Sequence, residues 1–129
     1  MTDRKIALAA FGLAVMVNMT MAEEVSLTKD LMPLFARSCT GCHQRENGNK
    51  DAIKDGVYLE KKEDILKSVG TLVVTGKPDD SYLLQVLKKA EDKPEWIKTM
   101  PPPRSKAPRM SEDEIKTVAN WIKAGAKDN

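Results

Sequence analysis

The residues of this chain best suited to chemistry are its two cysteines and its one histidine, which lie together at Cys39, Cys42 and His43. Cysteines three residues apart lie on one face of a helical turn, so both thiols can reach the same edge of a flat ligand. Thiols at this spacing can add to the two vinyl groups of a haem, and a histidine directly after the second cysteine can bind its iron. The stretch therefore predicts one covalently attached haem, with thioether links at Cys39 and Cys42 and with His43 as the proximal iron ligand.

Three other uses of the cysteine pair compete with this interpretation. A dithiol redox pair has the same spacing, but it usually lies in a thioredoxin-like βαβ pattern, which we do not find in the sequence. A disulfide between Cys39 and Cys42 would close a very small loop and stabilise the fold little. A zinc site would have only these two thiols and His43, whereas structural zinc takes four ligands.

A methionine is the candidate for the distal iron ligand, because the chain has no second histidine. Outside the N-terminal region the methionines are Met32, Met100 and Met110. Met32 precedes the cysteines on the same predicted helix, so it should not reach the opposite face of the haem. Met100 stands before three consecutive prolines, which restrict its loop and favour it as the distal ligand. Met110 is the alternative methionine, and an iron with an open sixth position is a further alternative.

Met110 has a structural role that explains it without iron. Ser111 and Glu114 form an S-x-x-E capping box, which predicts that a helix starts at Ser111. Met110 then precedes the cap and can pack against Ile115 as a hydrophobic staple.

Helices have to position these side chains, and the sequence predicts four of them. The first begins near Asp30, with Pro33 in its first turn, and runs into the cysteine stretch. A polar loop covers residues 44–56, and a short helix is expected over residues 61–68. A third helix opens at residues 78–80, and the last follows Ser111. The predicted buried faces are Leu83, Val86, Leu87 and Ala90 in the third helix, and Ile115, Val118, Ala119 and Ile122 in the last, with Trp121 beside it.

Two segments between these helices are expected to be non-helical. Residues 72–74 are apolar and lie between Gly70 and Gly76, which predicts an extended stretch. Residues 91–109 form a long proline-rich loop that carries Trp96 and Met100. We find no internal repeat, so the sequence predicts one domain and one haem.

The N-terminus has the three parts of a secretory signal. Arg4 and Lys5 precede an apolar run over residues 6–17, and small residues follow at Thr20 and Ala22. The apolar run is too short for a membrane-spanning helix, which needs about 20 residues. We therefore predict a signal peptide over residues 1–22, a mature domain over residues 23–129, export to the periplasm and no membrane span after cleavage; a retained anchor is the alternative.

The charge balance bears on possible partners. The whole chain has a formal net charge of +2, and removal of the predicted signal lowers it to +1. Such a balance does not favour nucleic acid as a partner.

The chain resembles class I cytochromes c, and most closely the small planctomycete-type cytochrome c domain. The likeness rests on residues 33–35 leading into the Cys39–His43 stretch, on VVTGKPDDSYL at residues 73–83, on Met100 with the prolines after it, and on WIKAGA at residues 121–126. The resemblance implies an all-α fold of three to five helices around one covalently bound haem, with crossing N- and C-terminal helices. It also implies that Met100 is the axial ligand.

These features favour a monohaem electron carrier rather than an enzyme. A haem with His43 and Met100 on its two faces has no free iron position for a substrate, so its default task is to carry single electrons between redox proteins. Two alternatives are a haem-based sensor with a labile sixth site and an electron-accepting subunit of a periplasmic dehydrogenase. We expect a monomer.

A basic run flanks the proposed ligand loop. Lys98, Arg104, Lys106 and Arg109 have no acidic residue between them. This run could dock an acidic redox partner, although a solvated loop would have the same composition.

Overall fold

The computed structural model describes residues 24–129, together with positions 12 and 14. Apart from those two positions, the predicted signal peptide lies outside the described residues. Within them the chain is helical and has no strand, which confirms the predicted all-α class. The α-helices are α1 (Met32–Ser38), α2 (Lys50–Ile53), α3 (Lys62–Lys67), α4 (Tyr82–Leu87) and α5 (Glu112–Lys123). None of the helices in the described part has both the length and the apolarity needed to cross a bilayer.

The N-terminal helical segment begins earlier than the sequence predicts. A π-helical turn over Leu27–Leu31 leads directly into α1. The start is at Leu27, not near Asp30, because the Ser26 hydroxyl caps this end by accepting a hydrogen bond from the Lys29 amide at 3.1 Å. Leu27, Leu31 and Phe35 are fully buried along one face, and they anchor the segment that carries the cysteines.

The polar segment after the cysteine stretch contains a helix that the sequence did not predict. Asn49 starts α2 by accepting hydrogen bonds from the Asp51 and Ala52 amides. This helix has only four residues, which is too short to show apolar periodicity. The helix predicted over residues 61–68 is confirmed as α3.

The region before α4 differs from the sequence prediction in two ways. The sequence predicts an extended stretch over residues 72–74. In the structure Leu72 lies in a turn, and Val73 forms only an isolated bridge with Val69. The predicted third helix is divided into a 3-10 turn over Pro78–Asp80 and the helix α4. Ser81 separates them in an extended conformation, because its buried hydroxyl accepts the Val74 amide and donates to the Lys77 carbonyl.

The apolar face of α4 also needs one correction. Leu83, Val86 and Leu87 are buried as predicted, and Leu84 is buried with them. Ala90 is exposed, because α4 ends at Leu87 and Ala90 lies in a separate 3-10 turn over Ala90–Asp92. The predicted loop over residues 91–109 therefore starts within that turn.

The last helix matches its prediction most closely. The capping box between Ser111 and Glu114 is present, with hydrogen bonds in both directions. Val118, Trp121 and Ile122 are buried, while Ile115 and Ala119 are partly buried against the same core. Helix α5 contacts both the Leu27–Leu31 turn and α4, so it joins the two ends of the domain.

Candidate functional site

The cysteine stretch forms a compact turn at the end of α1. Cys39 caps that helix, and its carbonyl accepts hydrogen bonds from the Cys42 and His43 amides at 3.2 and 3.0 Å. Both cysteines are half-buried, and their thiols are not joined to each other. Burial, together with the charge of the neighbouring Cys42, raises the pKa of the Cys39 thiol to about 12, so this thiol is neutral at neutral pH. The turn thus brings together two thiols and an imidazole within five residues.

The His43 side chain is oriented by the segment that follows the polar loop. Its Nδ1 lies 3.0 Å from the Val57 carbonyl oxygen. A carbonyl can only accept, so Nδ1 carries a proton, and in the neutral imidazole Nε2 then keeps a lone pair suited to a metal. The His43 carbonyl in turn accepts the Leu59 amide at 2.8 Å. Residues 57–59 therefore hold both the backbone and the ring of His43.

The loop between His43 and α2 folds closely back on the cysteine stretch. The Asn49 amide donates to the Cys42 carbonyl at 3.0 Å. A Cβ atom added to Gly48 would collide with the carbonyl oxygens of Gln44 and Cys42, so only glycine allows this approach. The sequence predicts only a polar connection here, and no pattern in it marks Gly48.

The three candidate methionines have different surroundings. Met110 is only 7% exposed, and it packs in the main core directly before the capping box of α5. Met100 is half-buried at the edge of that core, where its amide donates to the Val86 carbonyl at 2.7 Å. Met32 is half-buried on α1, the helix that ends at the cysteines. The structure thus gives Met110 the packing role that its sequence position indicates.

The residues present fit a covalently attached haem. Two unpaired thiols and an imidazole with a free Nε2 are the donor set that thioether attachment and axial ligation require. A Cβ atom added to Gly41, between the cysteines, would meet nothing within 4 Å, so this side of the turn is open. A zinc site is less well supported, because no group of three or more His, Cys, Asp or Glu side chains across residues 24–129 is arranged to hold a metal ion.

The family model described as Cytochrome c matches residues 33–126, which is most of the chain. No curated protein and no solved structure matches the chain.

Proposed function

The chain belongs to the cytochrome c family, so it is a haem-binding electron-transfer protein with covalently attached haem c, and from that premise we propose a periplasmic monohaem carrier. In this proposal it carries single electrons between redox partners and catalyses no reaction of its own. We also place it with the small planctomycete-type domains, on the motifs quoted above.

The observation that carries the proposal is the hydrogen bond from His43 Nδ1–H to the Val57 carbonyl. Histidines that bind metals commonly donate their second ring nitrogen to a carbonyl or carboxylate, which fixes the ring and raises its basicity. His43 has this arrangement directly beside the two thiols. We therefore assign Cys39 and Cys42 to the thioether links and His43 to the proximal iron position.

Met100 is the proposed distal ligand, and Met110 is the alternative. The burial of Met110 beside the α5 cap supports this choice, because packing already accounts for that side chain. Met100 is held at its backbone by Val86 on α4, and the prolines after it limit the loop. A weak thioether–iron bond benefits from such ordering.

The proposed mechanism rests on the two side chains that would hold the iron, His43 and Met100. When bound, the haem would supply a one-electron iron couple. With both side chains on the iron, no position would remain for a substrate, so the chain would act by holding these ligands in place and excluding water.

The partner surface that we propose is the basic run of the sequence. Lys98, Arg104, Lys106 and Arg109 are all exposed. Trp96, two residues before Lys98, is 77% exposed and adds an aromatic contact of the kind that is frequent at protein interfaces. This surface is suited to an acidic redox partner. Export as residues 23–129 and a monomeric state complete the proposal.

Carbon monoxide distinguishes this function from a haem-based sensor. A His/Met carrier should remain low-spin when reduced and should not bind CO readily, because Met100 occupies the sixth position. Its ferric form should show the absorption band of methionine-ligated haem. Ready CO binding to the wild-type protein, together with the absence of that band, would favour the sensor.

A further inference from the structure

Arg45 lies two residues after His43 and is held by two carboxylates. Its guanidinium binds both carboxylate oxygens of Asp64, at 2.8 and 2.5 Å. It also donates to Glu60 at 3.1 Å. The Asp64 side chain is only 4% exposed, so this ion pair is shielded from solvent on its acidic side. Such bidentate pairs add geometric specificity as well as binding energy.

The partners of Arg45 flank the residues that hold His43. Its guanidinium carbon lies 4.6 Å from the centre of the Tyr58 ring, a cation–π contact. Tyr58 stands between Val57, which accepts the hydrogen bond from His43 Nδ1, and Leu59, whose amide donates to the His43 carbonyl. Glu60 follows directly, and one of its oxygens accepts the Arg45 amide at 3.4 Å. Arg45 therefore contacts the same short segment, residues 57–60, that orients the His43 imidazole.

We propose that Arg45 is a positioning residue that lowers the reduction potential of the haem by holding residues 57–60 against His43. This inference rests on the proposed function, because it takes His43 as an iron ligand. A firm hydrogen bond from Nδ1–H to Val57 increases the basicity of the imidazole, which stabilises ferric iron and lowers the potential. Loosening the segment weakens that bond and raises the potential.

The charge of Arg45 has the opposite effect, so the two roles can be separated. A positive charge close to the haem favours the ferrous state and raises the potential, and its loss would lower it. Arg45→Lys keeps the charge but cannot form the planar two-pronged contact with Asp64. Under the positioning role, R45K raises the midpoint potential; under a role of charge alone, R45K leaves it unchanged.

The experiment compares R45K with a matched control, Arg37→Lys. Arg37 also forms a bidentate pair with a carboxylate, that of Glu114, but this pair joins α1 to α5, and neither of its hydrogen bonds involves residues 57–60. The midpoint potential and the hydrogen exchange of the Leu59 amide are measured for each variant. We expect R45K to raise the potential and to speed Leu59 exchange by roughly tenfold, while R37K changes neither.

A second variant controls for any effect of the new lysine side chain in R45K. Asp64→Asn keeps the size of the side chain and removes the charge that holds Arg45, so it should also speed exchange at Leu59. Wild-type potential and wild-type exchange in haem-loaded R45K would overturn the inference. A lower potential in Arg45→Gln with no change in R45K would also overturn it, since charge alone would then suffice.

Failure of the proposed function gives a different pattern. If His43→Ala keeps the wild-type low-spin spectrum, His43 is not the ligand and the proposed function fails. Exchange at Leu59 in the haem-loaded protein does not depend on which side chain binds the iron, so it still decides whether Arg45 holds residues 57–60.

Discussion

At the scale of single residues, the distal ligand is the assignment that substitution tests most simply. Met100→Ala should give a high-spin iron or one that binds an exogenous ligand, because the thioether is lost from the sixth position. Met110→Ala should keep the wild-type ligation and lower the free energy of unfolding by about 2 kcal/mol or more, as expected for a buried methionine. Visible spectra and denaturant unfolding measure the two effects separately.

The two methionine variants also control for each other. If Met110→Ala alone loses the methionine signature in the spectrum, Met110 is the ligand and the assignment of Met100 is wrong. Wild-type spectra for both variants would indicate that neither methionine binds the iron.

The side chains of the site can be predicted from the sequence, whereas the groups that hold them in place cannot. Cys39, Cys42 and His43 are recognisable because their chemistry lies in their residue types and spacing. Val57 contributes a backbone carbonyl, which any residue type could supply, so no sequence signal marks it. Asp64, the partner of Arg45, is 19 residues away along the chain, and pairing at that distance depends on the fold.

At the scale of elements, the ion pair between α1 and the start of α5 predicts a pH effect. Glu114 accepts hydrogen bonds from Arg37 and from the Ser111 amide, and these contacts lower its pKa from 4.5 to about 2. Because the folded pKa is depressed, the stabilisation is fully present above pH 4.5 and is lost as the pH falls towards about 2.

Glu114→Gln measures this contribution. Glutamine keeps the capping box but loses the charge, so the variant should unfold at a lower temperature than wild type at neutral pH. The difference should shrink as the pH falls below 4.5. Glu112→Gln is the matched control, because the Glu112 side chain is 84% exposed and solvent screens its pair with Lys89. A Glu114→Gln difference that does not change with pH would contradict the role of the ionised carboxylate.

Elements were predicted well where periodicity and capping agreed. Helix α5 has both an apolar stripe and a capping box, and its start was predicted correctly at Ser111. The start of α4 was misplaced because Pro78 and the acidic residues after it are typical of a helix N-terminus. The buried hydroxyl of Ser81 interrupts the chain there, and only the folded structure shows its partners.

At the scale of the whole molecule, the basic surface predicts how the protein meets charged partners. Oxidation of the reduced protein by ferricyanide, an anion, should slow as salt is added, because salt screens the attraction. The double variant Lys98→Glu/Arg104→Glu should react more slowly than wild type at low salt and depend less on salt. Lys29→Glu makes the same kind of charge change on the exposed N-terminal segment, so it should stay closer to wild type. Rates that do not change with salt would contradict the proposal that this basic surface docks a charged partner.

Covalent attachment through Cys39 and Cys42 with His43 on the iron is tested most directly by intact mass and visible spectrum. The protein is exported from a host that matures c-type cytochromes, beside a Cys39→Ala/Cys42→Ala control. The prediction is one mass, equal to residues 23–129 plus a single haem, with a low-spin spectrum that the control lacks. A wild-type mass explained by amino acids alone would contradict it.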